Sequence, residues 1–210
     1  LAVEAMAEAY ESSHPDLAEV KAIKDWLRKA VAKANTAVYE AALDNAEARN
    51  MGTTIVAALF SDDGVVHIAH AGDSRAYLVR ECKASPITID HSVVMEMHVR
   101  GQLTLQQCKE NIYRHLITRC LGHEPEVDVD LNEVKLKADD WIFLASDGLE
   151  EGVKQEEDIN ACFAEEGDVE SVCKRLLDRA LKGGAPDNVT IVAAQISMRD
   201  AAVSQSSNSR

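Results

Sequence analysis

Three aspartates stand in short polar turns that border apolar runs typical of β-strands. They are Asp73 within Gly-Asp-Ser-Arg (72–75), Asp147 within Ala-Ser-Asp-Gly-Leu (145–149) and Asp187 within Pro-Asp-Asn-Val-Thr (186–190). Hard divalent cations such as Mg²⁺ and Mn²⁺ prefer carboxylate, carbonyl and water oxygens. Strand ends hold such ligands more rigidly than long loops do. The pattern therefore predicts a metal site.

Each aspartate also has a structural interpretation when it is taken alone. Asp73 could shape its turn, Asp147 could act as a turn or cap residue before Gly148, and Asp187 could form an Asx-turn. On the residues alone, the structural and the metal-binding interpretations both stay open.

Apolar spacing predicts the elements of the first half of the chain. Residues 1–10 are helical in pattern, and a longer helix is expected from Ser13, with Ser13 as its N-cap and Pro15 in its first turn. The runs 54–60 and 65–71 flank Ser-Asp-Asp-Gly, which predicts a hairpin. A further strand at 76–79 would extend that hairpin into an antiparallel meander.

The second half begins with a less regular stretch, residues 90–122, that we interpret as a flap. It contains helix-compatible pieces at 93–99 and 104–111. Further strands are predicted at 127–131, 141–145 and 190–196, and further helices at 155–165 and 169–182. This order predicts an α+β domain in which sheets pack together and helices cover them. The domain is expected to span 1–197, followed by a disordered Ser-rich tail at 198–210.

Composition narrows the class of protein. The 210 residues are 46% apolar, which suits one domain with one sizeable core. The net charge of −14 opposes binding to nucleic acid or to an anionic membrane. No apolar run approaches the roughly 20 residues that span a bilayer. Five cysteines without a Cys-x-x-Cys pair suggest neither a disulfide framework nor structural zinc, so we expect a soluble, cytoplasmic protein.

Four motifs, taken in order, resemble those of the protein phosphatase 2C family. They are Met-Gly-Thr-Thr (51–54), Ala-Gly-Asp-Ser-Arg-Ala (71–76), Leu-Ala-Ser-Asp-Gly-Leu (144–149) and Asp-Asn-Val-Thr (187–190). The chain looks most like the compact bacterial branch of these metal-dependent serine/threonine phosphatases, and the resemblance covers about residues 1–197. It implies a four-layer α-β-β-α sandwich, with two central antiparallel sheets flanked by helices.

The resemblance also implies a site. Residues that match Asp147 and Asp187 bind one ion of a Mn²⁺ or Mg²⁺ pair in this family, and the match to Asp73 helps to hold a further, weaker ion or its water. Asn188 would orient a ligand, and Ser146 and Gly148 would stand with it in the second shell around the ion. The implied activity is hydrolysis of phosphoserine and phosphothreonine on proteins by a metal-activated water, opposing a serine/threonine kinase.

The chain departs from the family pattern at its start. That pattern begins with an arginine that grips phosphate and an Asp-Gly-x-Gly-Gly segment whose aspartate bridges the metals, often followed by a histidine that acts as a general acid. Neither Asp63-Gly64, in a hairpin turn, nor Asp147-Gly148 can replace that segment. We therefore expect an N-terminally truncated domain that lacks its first strands, has no assignable acid or base, and is inactive or impaired. The alternative is a non-catalytic binding or regulatory module.

Other polar residues receive less specific interpretations. His67 and His70 are three apart on a strand, so they point to opposite faces and make poor joint ligands. Arg75 either orients the Asp73 carboxylate or forms a purely structural pair. The acidic pair at 150–151 is expected to be a solvated face. The flap-region histidines are assigned surface or packing roles, although one of them could contact substrate: His91, His98, His115 and His123.

Overall fold

The computed structural model describes residues 1–44, 48–49, 51–153 and 156–197, so the tail predicted at 198–210 lies outside the described residues. The helices are α1 (Ala2–Ser12), α2 (Val20–Asp44), α3 (Val93–Val99), α4 (Leu105–Glu110), α5 (Gly148–Gly152), α6 (Glu156–Ala164) and α7 (Val169–Lys182). The strands are β1 (Ile55–Phe60), β2 (Val65–Ala71), β3 (Arg75–Arg80), β4 (Lys83–Pro86), β5 (Asp130–Lys135), β6 (Trp141–Ala145) and β7 (Ile191–Gln195). Over the described ranges, no helix is both long and apolar enough to cross a membrane.

The strands form two antiparallel sheets. The first has the order β1-β2-β5, and the second has the order β4-β3-β6-β7. Three buried clusters of apolar side chains fill the spaces between neighbouring layers. Helix α2 and the first sheet share a cluster with Leu27 and Ala69, the two sheets share one with Ile68 and Ile142, and the second sheet shares one with α6 and α7 around Phe143. The expected α-β-β-α sandwich is therefore confirmed.

The two-residue period of the strands explains why one strand serves two interfaces. In β6, Ile142 and Leu144 pack between the sheets, whereas Trp141, Phe143 and Ala145 pack against the helices. Successive side chains of a strand point to opposite faces, so a strand covered on both sides must be apolar throughout. Strand β6 therefore lies between two of the buried clusters, and its C-terminal end leads directly to the Asp147 turn.

Helix α2 begins at Val20, so the predicted start at Ser13 was wrong. Ser13 instead ends α1, with an extended backbone (φ −158°) and an N–H that donates to the Ala9 carbonyl at 3.1 Å. The Ser13 carbonyl accepts the indole N–H of Trp26 at 2.5 Å. Apolar spacing alone did not reveal this connection because Leu17, within it, also packs against the helix cluster.

The predicted meander was also wrong, because β3 belongs to the second sheet rather than beside β2. The chain changes sheets at Gly72, whose φ of 115° is unfavourable for other residues. A Cβ on Gly72 would lie 2.4 Å from the Thr54 Cγ2 atom. The same turn therefore joins the two sheets and carries Asp73.

Three further differences concern short elements. The strand expected at 127–131 is β5, at Asp130–Lys135. Strand β4 was not predicted because its hairpin turn uses Glu81 and Cys82 at φ of 52° and 59°, positions where Asn or Gly is the usual signal. Helix α5 was likewise missed because it is a single short turn after the Asp147 motif. The hairpin of β1 and β2 and the strand at 141–145 are confirmed.

Asp140 is a buried carboxylate that should make stability depend on pH. It accepts hydrogen bonds from Arg80 Nε at 2.9 Å, Arg80 Nη2 at 2.6 Å and the Lys137 N–H at 2.7 Å. Burial alone would raise its pKa, but these donors outweigh burial and lower the pKa below its ordinary value. The carboxylate therefore stabilises the fold above its unfolded-state pKa, and this contribution is lost as pH falls through the lowered pKa.

We expect Asp140→Asn to lower the free energy of unfolding by about 2 kcal/mol near neutral pH, because a charged acceptor of three hydrogen bonds is lost. Urea unfolding at pH 7 and at acid pH measures this, and the difference between the two proteins should shrink in acid. Asp139→Asn is the matched control, since Asp139 is exposed. An equal loss of stability at both pH values would contradict the ionic role of Asp140.

Candidate metal centre

Strand register brings the three aspartate turns to one end of the second sheet. Arg75 of β3 pairs with Ala145 of β6, and Ala145 pairs with Ile191 of β7. Asp73 lies two residues before β3, Asp147 lies two residues after β6, and Asp187 lies four residues before β7. Antiparallel neighbours place the start of one strand beside the end of the next. The three turns therefore converge.

Direct contacts hold the second and third turns together. The Ser146 hydroxyl donates to the Asn188 carbonyl at 3.1 Å and accepts from the Thr190 N–H at 3.0 Å. Gly148 is so close to the other turn that a Cβ atom there would lie 2.5 Å from the Asn188 carbonyl oxygen. The Asn188 N–H donates to Asp187 Oδ1 at 2.7 Å. Residues flanking the aspartates thus fix how the turns meet.

The carboxylate of Asp73 in the first turn interacts electrostatically with that of Asp147 in the second. The pKa of Asp73 is raised to about 6, first by burial and then by the negative charge of Asp147. Two carboxylates close enough to oppose each other's ionisation form a region of concentrated negative charge. Asp73 and Asp147 are half-buried, whereas Asp187 is exposed.

Arg75 does not orient Asp73 by a hydrogen bond, contrary to one of the two interpretations of the sequence. Its guanidinium donates to Asp90 in a bidentate pair, Nε to Oδ1 at 2.5 Å and Nη2 to Oδ2 at 2.6 Å. Its Nη1 also forms an ion pair with Glu150. The nearest arginine in sequence is therefore held by other carboxylates, and Asp73 keeps its raised pKa.

The acidic pair at 150–151 is not a purely solvated face, as the sequence had suggested. Glu150 accepts a hydrogen bond from the Tyr77 hydroxyl in addition to its ion pair with Arg75. Glu151 pairs with His115 Nδ1 at 2.9 Å. Asp90 and Glu150 are partners that the sequence interpretation missed, because a local pattern cannot show which distant residue an arginine meets.

The residues present fit a hard divalent cation. The carboxylates of Asp73 and Asp147 interact unfavourably, and Asp187 comes from a turn packed on Gly148. A bound cation would relieve the repulsion between them, and oxygen donors of this kind suit Mg²⁺ or Mn²⁺. The chemistry of these oxygen donors therefore suits the kind of ion that the sequence predicts.

A second group of possible metal donors lies on β2 and beside it. Atoms of His70, His91 and Asp130 all lie within 4.8 Å of one another. His70 Nε2 is 2.9 Å from the Ile89 carbonyl, and its other ring nitrogen is buried without a hydrogen-bond partner. The two imidazole rings stack with centroids 4.5 Å apart. His67, on the opposite face of β2, takes no part in this group, as its spacing from His70 predicted.

Comparison with known proteins identifies the chain's relatives. A family profile described as protein phosphatase 2C matches residues 1–182. The serine/threonine protein phosphatase PstP of Mycobacterium tuberculosis is 37% identical over 173 residues, which are 81% of this chain but 32% of PstP. The serine/threonine phosphatase stp of Listeria welshimeri is 31% identical over 197 residues, 91% of this chain and 75% of that protein. The chain thus spans about a third of the first of these relatives.

Solved structures show the same architecture. The serine/threonine phosphatase Stp1 from Staphylococcus aureus superposes with a TM-score of 0.80 at 36% identity, covering 86% of this chain and 70% of that one. The Mycobacterium tuberculosis phosphatase PstP/Ppp superposes with a TM-score of 0.82 at 30% identity, covering 94% of this chain and 82% of that one.

Proposed function

Because the chain belongs to the protein phosphatase 2C family, we propose that it is the core of a metal-dependent phosphatase acting on phosphoserine and phosphothreonine in proteins. The observation that carries the proposal is the convergence of the Asp73, Asp147 and Asp187 turns at one end of the second sheet. The relatives named above are serine/threonine phosphatases, which supports the substrate class.

The proposed ligands are Asp147 and Asp187 for one ion of a Mn²⁺ or Mg²⁺ pair, with Asp73 contributing to a third. When bound, such ions would supply positive charge for the phosphate oxygens and would make a water nucleophilic near neutral pH. The protein's part is to hold the carboxylates in place. Ser146 and Gly148 keep the two turns in contact, and the Asn188 N–H orients the Asp187 carboxylate.

Partners and location follow as further proposals. Phosphorylated proteins modified by a serine/threonine kinase are the proposed substrates, and the chain's net charge of −14 disfavours nucleic acid as a partner. All five cysteines are free thiols, which supports a reducing, cytoplasmic setting. The non-catalytic module has less support, since a binding surface alone gives no reason for three carboxylate turns to meet.

The test is Mn²⁺ binding by calorimetry together with Mn²⁺-dependent release of phosphate from a phosphothreonine peptide. We expect the 210-residue chain to bind Mn²⁺ and Asp187→Asn to weaken that binding at least about tenfold, because a charged oxygen ligand becomes a neutral amide. Metal-dependent turnover by the chain would rule out the inactive alternative.

Asp62→Asn is the matched control for Asp187→Asn. Asp62 is exposed in the turn between β1 and β2, at the end of β2 remote from Asp73. This variant makes the same change in charge, so it should bind Mn²⁺ as the unmodified chain does. If the unmodified chain binds no Mn²⁺, the metal site is refuted and the binding module becomes the better explanation.

A further inference from the structure

His91 binds the backbone of the residue that precedes Asp73. Its N–H donates to the Gly72 carbonyl at 2.9 Å, and its side-chain Nδ1 accepts from the Gly72 N–H at 3.1 Å. One residue therefore satisfies both polar groups of the Gly72 backbone. The His91 residue is 5% exposed, so these bonds lie away from water.

This pair of bonds fixes the tautomer of His91. A backbone N–H can only donate, so Nδ1 must be the acceptor and Nε2 must carry the ring proton of the neutral imidazole. Burial lowers the pKa of His91, which agrees with a neutral ring. Nε2 lies 3.2 Å from Asp130 Oδ2, so it donates to that carboxylate.

Arg119 completes the network on the far side of the ring. Its Nη1 donates to Asp130 Oδ1 at 2.7 Å and lies 3.3 Å from His91 Nε2. Because Nε2 carries a proton, the shorter contact to Asp130 is the hydrogen bond of Arg119. The Thr118 N–H donates to the His91 carbonyl at 2.7 Å, so the end of the flap is attached to the same residue.

The network disfavours a metal ion among His70, His91 and Asp130. A cation there would need the Nε2 lone pair of His91, which would place a proton on Nδ1 facing the Gly72 N–H. The guanidinium of Arg119 would also lie beside the ion and repel it. The group is therefore better explained as a chain of hydrogen bonds than as a second metal centre.

We propose that His91 is a positioning residue, which holds both polar groups of the Gly72 backbone and thereby fixes the direction of the Asp73 carboxylate. Its neighbour Asp90 holds Arg75 on the other side of the turn, so residues 90 and 91 fix the turn from both ends. The importance of this placement for catalysis rests on the proposed function, whereas the hydrogen-bond network does not.

Two substitutions distinguish the roles of the two ring nitrogens of His91. In His91→Asn, the amide oxygen can occupy the place of Nδ1 and accept the Gly72 N–H. In His91→Gln, the longer side chain can reach Asp130 but offers no acceptor at the Nδ1 position. We expect His91→Gln to speed hydrogen exchange of the Gly72 amide and to weaken Mn²⁺ binding, each about tenfold, and His91→Asn to change either by less than about threefold.

The measurements are ¹⁵N NMR of the full chain, for the His91 tautomer and Gly72 exchange, and calorimetry with Mn²⁺. His67→Asn is the control for general destabilisation, because His67 is also buried but lies on the face of β2 that is turned away from His70 and His91. It should leave Gly72 exchange unchanged. Equal effects of His91→Asn and His91→Gln, or a proton on Nδ1, would overturn the proposal.

The proposed function and the positioning role of His91 can be refuted separately. If the unmodified chain binds no Mn²⁺, the proposed function fails, yet Gly72 exchange still decides the role of His91. If the chain binds Mn²⁺ and Gly72 exchange is the same in both His91 variants, the positioning role is refuted while the metal site stands. If adding Mn²⁺ changes the chemical shifts of His70 and His91 and leaves those of Asp73 unchanged, the positioning role of His91 is also refuted.

Discussion

Asp147→Asn should lower the affinity for Mn²⁺ by at least about 100-fold, since even residues that merely orient metal ligands change affinity 10- to 100-fold. The substitution keeps the shape of the side chain but removes a charge from the half-buried carboxylate that faces Asp73. Calorimetric titration of the unmodified and variant chains measures the change, with Asp62→Asn as the remote control for charge.

The stability of Asp147→Asn in the absence of metal provides a second measurement. Part of the raised pKa of Asp73 comes from the charge of Asp147, so in Asp147→Asn that pKa should fall from about 6 toward its ordinary value. A raised pKa means that the folded state binds the proton more tightly, so the charge on Asp73 destabilises the fold above pH 6. Asp147→Asn should therefore unfold at equal or higher urea concentration at pH 7. A loss of both stability and metal binding would instead indicate a structural role.

Gly148→Ala should have the second largest effect, because it separates two of the aspartate turns. The added Cβ atom would lie 2.5 Å from the Asn188 carbonyl oxygen, a distance that requires the backbone to shift. Overpacking of this kind costs about 1–3 kcal/mol. The shift would also stretch the bonds of Ser146 to Asn188 and Thr190, so Mn²⁺ affinity should fall at least about tenfold.

Gly101→Ala controls for the general cost of replacing a glycine. Gly101 has a φ of 73° but a Cβ there would meet no atom within 4 Å, so its cost of about 1–2 kcal/mol comes from backbone strain alone. It should leave Mn²⁺ affinity unchanged. Urea unfolding and calorimetry on both variants separate the effects, and unaltered Mn²⁺ affinity in Gly148→Ala would show that the two turns need not touch for binding.

Local patterns in the sequence were sufficient wherever one segment determines its own structure. The apolar run Trp141–Ala145 and the amphipathic helix Val169–Lys182 were predicted with the bounds that the structure has. Burial of one or both faces determines the spacing of apolar residues along a strand or helix. That spacing is visible in the sequence even when the elements that pack against it are unknown. The convergence of the three aspartate turns was also foreseen, but through the resemblance to a family rather than through spacing.

Features that depend on distant partners were not accessible in the same way. Residues 76–79 form a good strand in either sheet, and only the Gly72 turn decides that β3 leaves β2 for β6. Arg75 could have met Asp73, its near neighbour, but its bidentate partner is Asp90, 15 residues away. His91 was assigned an ordinary packing role because nothing local links it to Gly72, Asp130 or Arg119.

The pairing of β3, β6 and β7 has a consequence for how the site could fail. Arg75, Ala145 and Ile191 lie in one line across the sheet, and each candidate ligand lies a fixed number of residues from that line. A slip of β7 by one residue would displace Asp187 by about 3.4 Å, which exceeds the length of a Mg²⁺–oxygen bond, about 2.0–2.1 Å. Affinity for Mn²⁺ would then report on the strand alignment of the whole second sheet.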